Sequence, residues 1–97
     1  MNRRQAKEII KDSGKGTKTG YTYLDMLNAA KTLIPDIVRD NPDITSSSII
    51  SKLGGNFDVM VNIAIVAMDQ MVDQGQLLRT SGFENKVYVD KYDIPRI

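Results

Sequence analysis

From Phe57 to Gln74 the chain reads FDVMVNIAIVAMDQMVDQ, its longest apolar run. At helical spacing Met60, Ala64, Ala67, Met68 and Met71 fall on one face, with Phe57 and Gly75 at its two ends, as in a helix packed on a small core. Asn62, Val66, Asp69 and Asp73 lie opposite, and Val59, Val61, Ile63, Ile65 and Val72 flank the stripe. Val59, Val61, Ile63 and Ile65 also alternate as a strand would. The run nevertheless carries Ala and Met in its second half and meets no turn signal before Gly75, which favours a helix.

The preceding segments are helical too. Arg3 to Ser13 places Ala6, Ile9 and Ile10 on one side and stops at Gly14. A helix this short is marginal alone, so it docks or frays. In TYLDMLNAAKTLIPDIVRDNP, Thr22 can cap and Asp25 stands at the capping-box position. Leu24, Leu27, Ala30 or Lys31, Ile34, Ile37 and Val38 then continue one stripe through Pro35. Unbroken periodicity favours a kinked helix over two helices, and Asn41-Pro42-Asp43 ends it as a turn. Thr45 or Ser46 caps a short helix that buries Ile49, Ile50 and Leu53, and Gly54-Gly55-Asn56 turns into the long one.

After Gly75 the period becomes strand-like. Residues 76–80 and 86–90 read as two strands around the loop Ser81 to Asn85, with Val87 and Val89 on one side and Lys86, Tyr88 and Asp90 on the other. The tail KYDIPRI reads as extended or loose. The fold class expected is mainly α with a small β-hairpin, in two parts: a basic helix and Gly/Lys linker over 1–20 and a domain over 21–97.

Composition narrows the chemistry. With 97 residues, no cysteine and no histidine, the chain can build a modest core but has no disulfide, thiolate or imidazole to use. No apolar stretch approaches the roughly 20 residues that span a bilayer, and the first ten residues do not form a signal peptide, so a cytoplasmic location is expected. Asp36, Asp40 and Asp43 cluster at a turn without an activating partner, and their spacing matches no calcium loop. Neither an enzyme, a cofactor, a metal site nor a small-molecule substrate is therefore expected. GKGTKTG, residues 14–20, resembles a phosphate-binding loop only in its glycines, since Thr19 occupies the second glycine position.

Net charge is +1, yet residues 1–20 hold Arg3, Arg4, Lys7, Lys11, Lys15 and Lys18 against Glu8 and Asp12. That leaves a mildly acidic body behind a basic arm, an arrangement recurrent in nucleic-acid-binding proteins.

The order of elements resembles the winged-helix branch of the helix-turn-helix superfamily. DNPDITSSSIISKLG is similar to the end of that family's first helix, the entry to its second and its closing Leu-Gly. AMDQMVDQGQLLR is similar to its third helix running into the first wing strand. Ala67, Met68, Met71, Gly75, Leu77 and Arg79 fall where the family keeps Ala, Leu, Leu, Gly, Leu and often a basic residue. The resemblance spans roughly Tyr23 to Asp90 and implies a third helix in a DNA major groove with a wing on the backbone or minor groove. Between Lys52 and Arg79, however, there is no Lys or Arg, while Asp58, Asp69 and Asp73 would repel phosphates. The anchoring charge must come from the six cations of the arm, from Lys52, and from Arg79 and Lys86. Asn56 and Asn62 can read base edges, and Ser46, Ser47 and Ser48 can donate to phosphates or simply cap their helix. A regulator that binds double-stranded DNA is the first reading. The second is a protein-interaction module or homodimer using the surplus apolar surface of Val59, Ile63, Ile65 and Val66, unless the first helix covers that surface within one chain.

Overall fold

The computed structural model describes residues 1–13 and 21–95, so Lys15, Lys18 and the glycine-lysine linker lie outside the described residues. Four helices and three short strands follow in the order α1 (Arg3–Lys11), α2 (Tyr23–Asp40), β1 (Ile44–Thr45), α3 (Ser46–Leu53), α4 (Phe57–Asp73), β2 (Leu78–Glu84) and β3 (Val87–Asp93). The protein is mainly helical with a small antiparallel sheet of order β1-β3-β2.

Local signals start each helix. Asn2 accepts from the Gln5 amide at 2.8 Å to cap α1. Thr22 and Asp25 form a complete capping box on α2, with bonds of 3.1 and 2.9 Å. Thr45, rather than Ser46, caps α3 through the Ser48 amide. Asn56 accepts from the Val59 amide at the start of α4. Such caps satisfy amides that have no partner within the helix. The helix α2 runs uninterrupted through Pro35, as its periodicity requires.

The core gathers around α4, which buries Met60, Ile63, Ala64, Ala67, Met68 and Met71. Against it stand Leu27, Ala29, Ala30, Leu33, Ile34 and Val38 of α2, and Ile49, Ile50 and Leu53 of α3. Two expected stripe residues are outside: Leu24 is 60% exposed and Phe57 62% exposed. The arc that α2 buries is shifted because it is clasped by α1 as well as α4, so Ala29 and Leu33 are covered instead of Leu24. Phe57 is the first residue of α4, ahead of Met60, where the buried part of the helix begins. Ile63, expected on an open partner surface, is only 2% exposed and belongs to the core.

The helix α1 completes this core with Ala6, Ile9 and Ile10 and packs chiefly on α2. Burying two isoleucines contributes on the order of 3–6 kcal/mol, which orders a nine-residue helix that would not persist alone. Its far end reaches the turn before α4. There the Asn56 amide donates to the Ser13 hydroxyl at 3.1 Å, and Ser13 is the one buried polar side chain among the described residues. Gly55 makes this approach possible: a Cβ on it would lie 2.4 Å from the Ile10 carbonyl oxygen and 2.7 Å from Ser13 Oγ.

The sheet departs most from the sequence expectation. The strands β2 and β3 run to a two-residue turn, Asn85-Lys86, in place of the five-residue loop Ser81 to Asn85. Both turn residues have positive φ, +50° and +66°, the conformation that matches the twist of paired strands. Lys86 therefore sits in the turn and not on a strand face. The tail is also paired: Tyr92 faces Ile44 of β1 and is 3% exposed, so residues 91–93 are strand and core, not loose chain.

Two glycine substitutions separate backbone strain from close packing. Gly75 has φ +76° with open space around it, so Gly75→Ala should cost about 1 kcal/mol in urea unfolding. Gly55→Ala adds a backbone clash to the same strain and should cost about 3 kcal/mol. Equal losses would show that α1 does not seat against this turn.

Candidate functional site

A charged cleft of about 490 Å³ lies between α1, the second half of α2 and the end of α3. Leu33, Ile37 and Leu53 form its apolar floor, and Arg3, Lys7, Arg39, Lys52, Asp36 and Asp40 supply its charges. The folding of α1 onto α2 creates this cluster. Arg3 and Lys7 are one turn apart on α1, and Asp36, Arg39 and Asp40 share the last turns of α2.

Asp36 lies at the centre. Its carboxylate accepts from both Nε and Nη2 of Arg3, the latter at 3.1 Å, and from Nη2 of Arg39 at 3.0 Å. Arg39 Nε also lies 3.7 Å from Asp40. The Arg3 hydrogen bonds chiefly hold the Asp36 carboxyl below its usual range, and the same contact raises Arg3. Arg39 was not among the cations expected to matter from sequence. In sequence it lies between Asp36 and Asp40, and only the fold brings it into one cleft with Arg3 and Lys52.

The other candidate residues are dispersed. Arg4 and Lys11 are exposed on α1 and, with Lys7, Lys52 and Lys86, make no ion pair among the described residues. Arg79 bonds Asp69 of α4 at 2.6 Å, and its pKa is raised by hydrogen bonding to Tyr92 and then Asp69. Its charge is thus partly committed to joining β2 to α4. Asn56 Oδ1 is occupied as a helix cap, whereas Asn62 is open on α4. Because Thr45 is the cap of α3, the hydroxyls of Ser46 and Ser47 are not needed for that role.

A second surface is apolar. Ile65 of α4 is 43% exposed, with Val59 and Val66 half-buried beside the buried Ile63. On the hairpin Phe83 and Tyr88 are cross-strand partners, edge to face at 5.0 Å, and both are largely exposed, as are Leu78 and Val87. The hairpin end was read from sequence as loop, which hid this aromatic pair. The Ser81 hydroxyl donates to Asp90 at 3.0 Å and Lys91 donates to Glu84, so both Asp90 and Lys91 of β3 are bonded across to β2.

Among the described residues no cluster of three or more acidic side chains is placed to hold a metal ion, and no helix is long and apolar enough to cross a membrane. Comparison with known proteins gives no match: no family model fits the chain, and no curated protein or solved structure is significantly similar to it.

The Asp36 pairing carries a pH signature. Its folded pKa is depressed, so its stabilisation is present above the ordinary carboxylate value near ~3.9 and is lost as pH falls through the lower folded value. The difference in Tm between wild type and Asp36→Asn should therefore be largest above about pH 5 and close as the solution is acidified. It should also shrink in 1 M salt, where the Debye length is about 3 Å. A gap that does not vary with pH would mean that the carboxylate charge contributes nothing.

Proposed function

We propose that this chain is a winged helix-turn-helix domain that binds double-stranded DNA as a small transcriptional regulator. The observation that carries the reading is topological. The helices α2, α3 and α4 are followed by a hairpin, and the strand between α2 and α3 joins it to give the order β1-β3-β2. The succession of three helices and a hairpin is what the sequence resemblance leads one to expect, with α1 as an addition in front, whereas β1 is a strand that the resemblance as read from sequence does not include.

Electrostatics directs where the contacts fall. The outer face of α4 offers Asp58, Asp69 and Asp73 and no cation, so it cannot neutralise phosphates, although Asn62 can read a base edge. The phosphate contacts belong instead to Arg4, Lys7 and Lys11 of α1, to Lys52, and to Lys86 at the hairpin turn. Because α1 is packed into the core, its cations form a fixed surface and not a loose arm. Replacing Lys7 and Lys11 together by Gln, both exposed, should reduce the slope of log K against log salt by about 2, similarly on unrelated duplexes. An unchanged slope would remove α1 from the interface; no duplex binding at moderate salt by wild type would overturn the DNA reading itself.

The apolar surface favours a second reading, a homodimer or protein-interaction module. Among the described residues Ile65, Phe83, Val87 and Tyr88 are exposed. Since Ile65 is exposed, Ile65→Asp should alter monomer stability by no more than about 0.5 kcal/mol. Light scattering should then report a dimer for wild type and a monomer for the variant. The same mass for both would reject an interface at Ile65.

A further inference from the structure

We propose that the cleft between α1, α2 and α3 is a discrete phosphate-binding site, with Arg39 as a principal ligand and Asp36 as the residue that positions it. The site shares Lys7 and Lys52 with the DNA reading but does not require it. None of the residues lining the cleft belongs to α4 or to the hairpin.

Four cations and two carboxylates give the cleft a net positive charge. The arrangement is more specific than charge alone. Arg3 and Arg39 come from different helices, yet both donate to the same carboxylate, so their guanidinium planes are brought together on one wall. Each guanidinium has five N–H donors and uses only one or two on Asp36; Arg39 Nε also lies 3.7 Å from Asp40, and the remaining donors are left for a second acceptor. Paired forks of this kind suit a tetrahedral phosphate with several oxygens. Lys7, one turn beyond Arg3 on α1, and Lys52 on α3 make no ion pair among the described residues, and supply mobile charge to the remaining oxygens. Leu33, Ile37 and Leu53 line the cleft beside these charges. A volume near 490 Å³ admits a phosphorylated small molecule as readily as one phosphate of a nucleic-acid backbone.

The test uses the full chain, titrated with inorganic phosphate and pyrophosphate and followed by amide chemical shifts. Saturable shifts should be confined to the end of α2, the start of α1 and the end of α3. Arg39→Gln and Lys52→Gln should each weaken pyrophosphate binding by about ten-fold or more, the loss of a charge-assisted contact, while keeping the wild-type Tm. Lys86→Gln, on the hairpin, should leave it unchanged. Asp36→Asn should weaken binding although it makes the cleft more positive; tighter binding would show that Asp36 only competes for the arginines and would remove its positioning role. Displacement of a bound duplex by pyrophosphate identifies the DNA backbone as the source of the phosphate. Saturation without displacement identifies a free phosphorylated ligand. Absence of saturable shifts, or shifts unaffected by Arg39→Gln and Lys52→Gln, overturns the site. Duplex binding that survives both variants and saturating pyrophosphate leaves the DNA reading standing without the cleft. Pyrophosphate binding by a chain that takes up no duplex does the reverse.

Discussion

The approach of one backbone to another at Gly55 governs most of this structure. The carbonyl of Ile10 and the hydroxyl of Ser13 occupy the space where any other residue would carry its Cβ. The Asn56 amide, which opens α4, meets Ser13 in the same place. A hydrogen bond and a missing side chain thus fix the end of α1 to the beginning of the central helix. Its middle is held by Ile9 and Ile10, and its start by Arg3 on Asp36. Three different interactions spaced from Arg3 to Ser13 turn an otherwise marginal nine-residue helix into a wall of the domain.

Docking α1 also sorts the charges of a nearly neutral chain. Its cations are brought beside Arg39 and Lys52, while the aspartates of α4 face elsewhere with Ile65 and the exposed hairpin. The molecule therefore presents a basic cleft on α1, α2 and α3, with carboxylates exposed on α4 and apolar side chains exposed on α4 and on the hairpin. A polyanion would be drawn by the local field of that cleft and not by the net charge of +1. The exposed pair Phe83 and Tyr88 lies near the end of the hairpin.

The helices were legible in the sequence because their signals are local and strong. Met60, Ala64, Ala67, Met68 and Met71 repeat at the helical period, Thr22 and Asp25 mark a start, and Gly75 marks an end. What escaped were features set by distant partners. The strand β1 is two residues long, too short for any period, and Tyr92 is buried only because that strand pairs with it. The turn Asn85-Lys86 lacks the glycine that usually announces this geometry, while the glycine at position 82 lies within a strand. Ile63 looked like surplus surface because a strongly apolar helix does not reveal which of its sides will be covered. In the cleft, Lys7 and Lys52 were visible as cations, but Arg39 sits between acids in sequence and gains its meaning from Arg3, 33 residues before its shared partner Asp36.

The central claim is that α1 belongs to the folded body and so fixes its cations in space. Native-state amide exchange of Ala6, Ile9 and Ile10 in the intact chain tests it most directly. A docked α1 should show protection approaching that of the buried turns of α4, because its opening requires breaking the shared core. Exchange at the rate of an isolated nine-residue helix would contradict the account, leaving α1 a loose arm and the cleft without its wall.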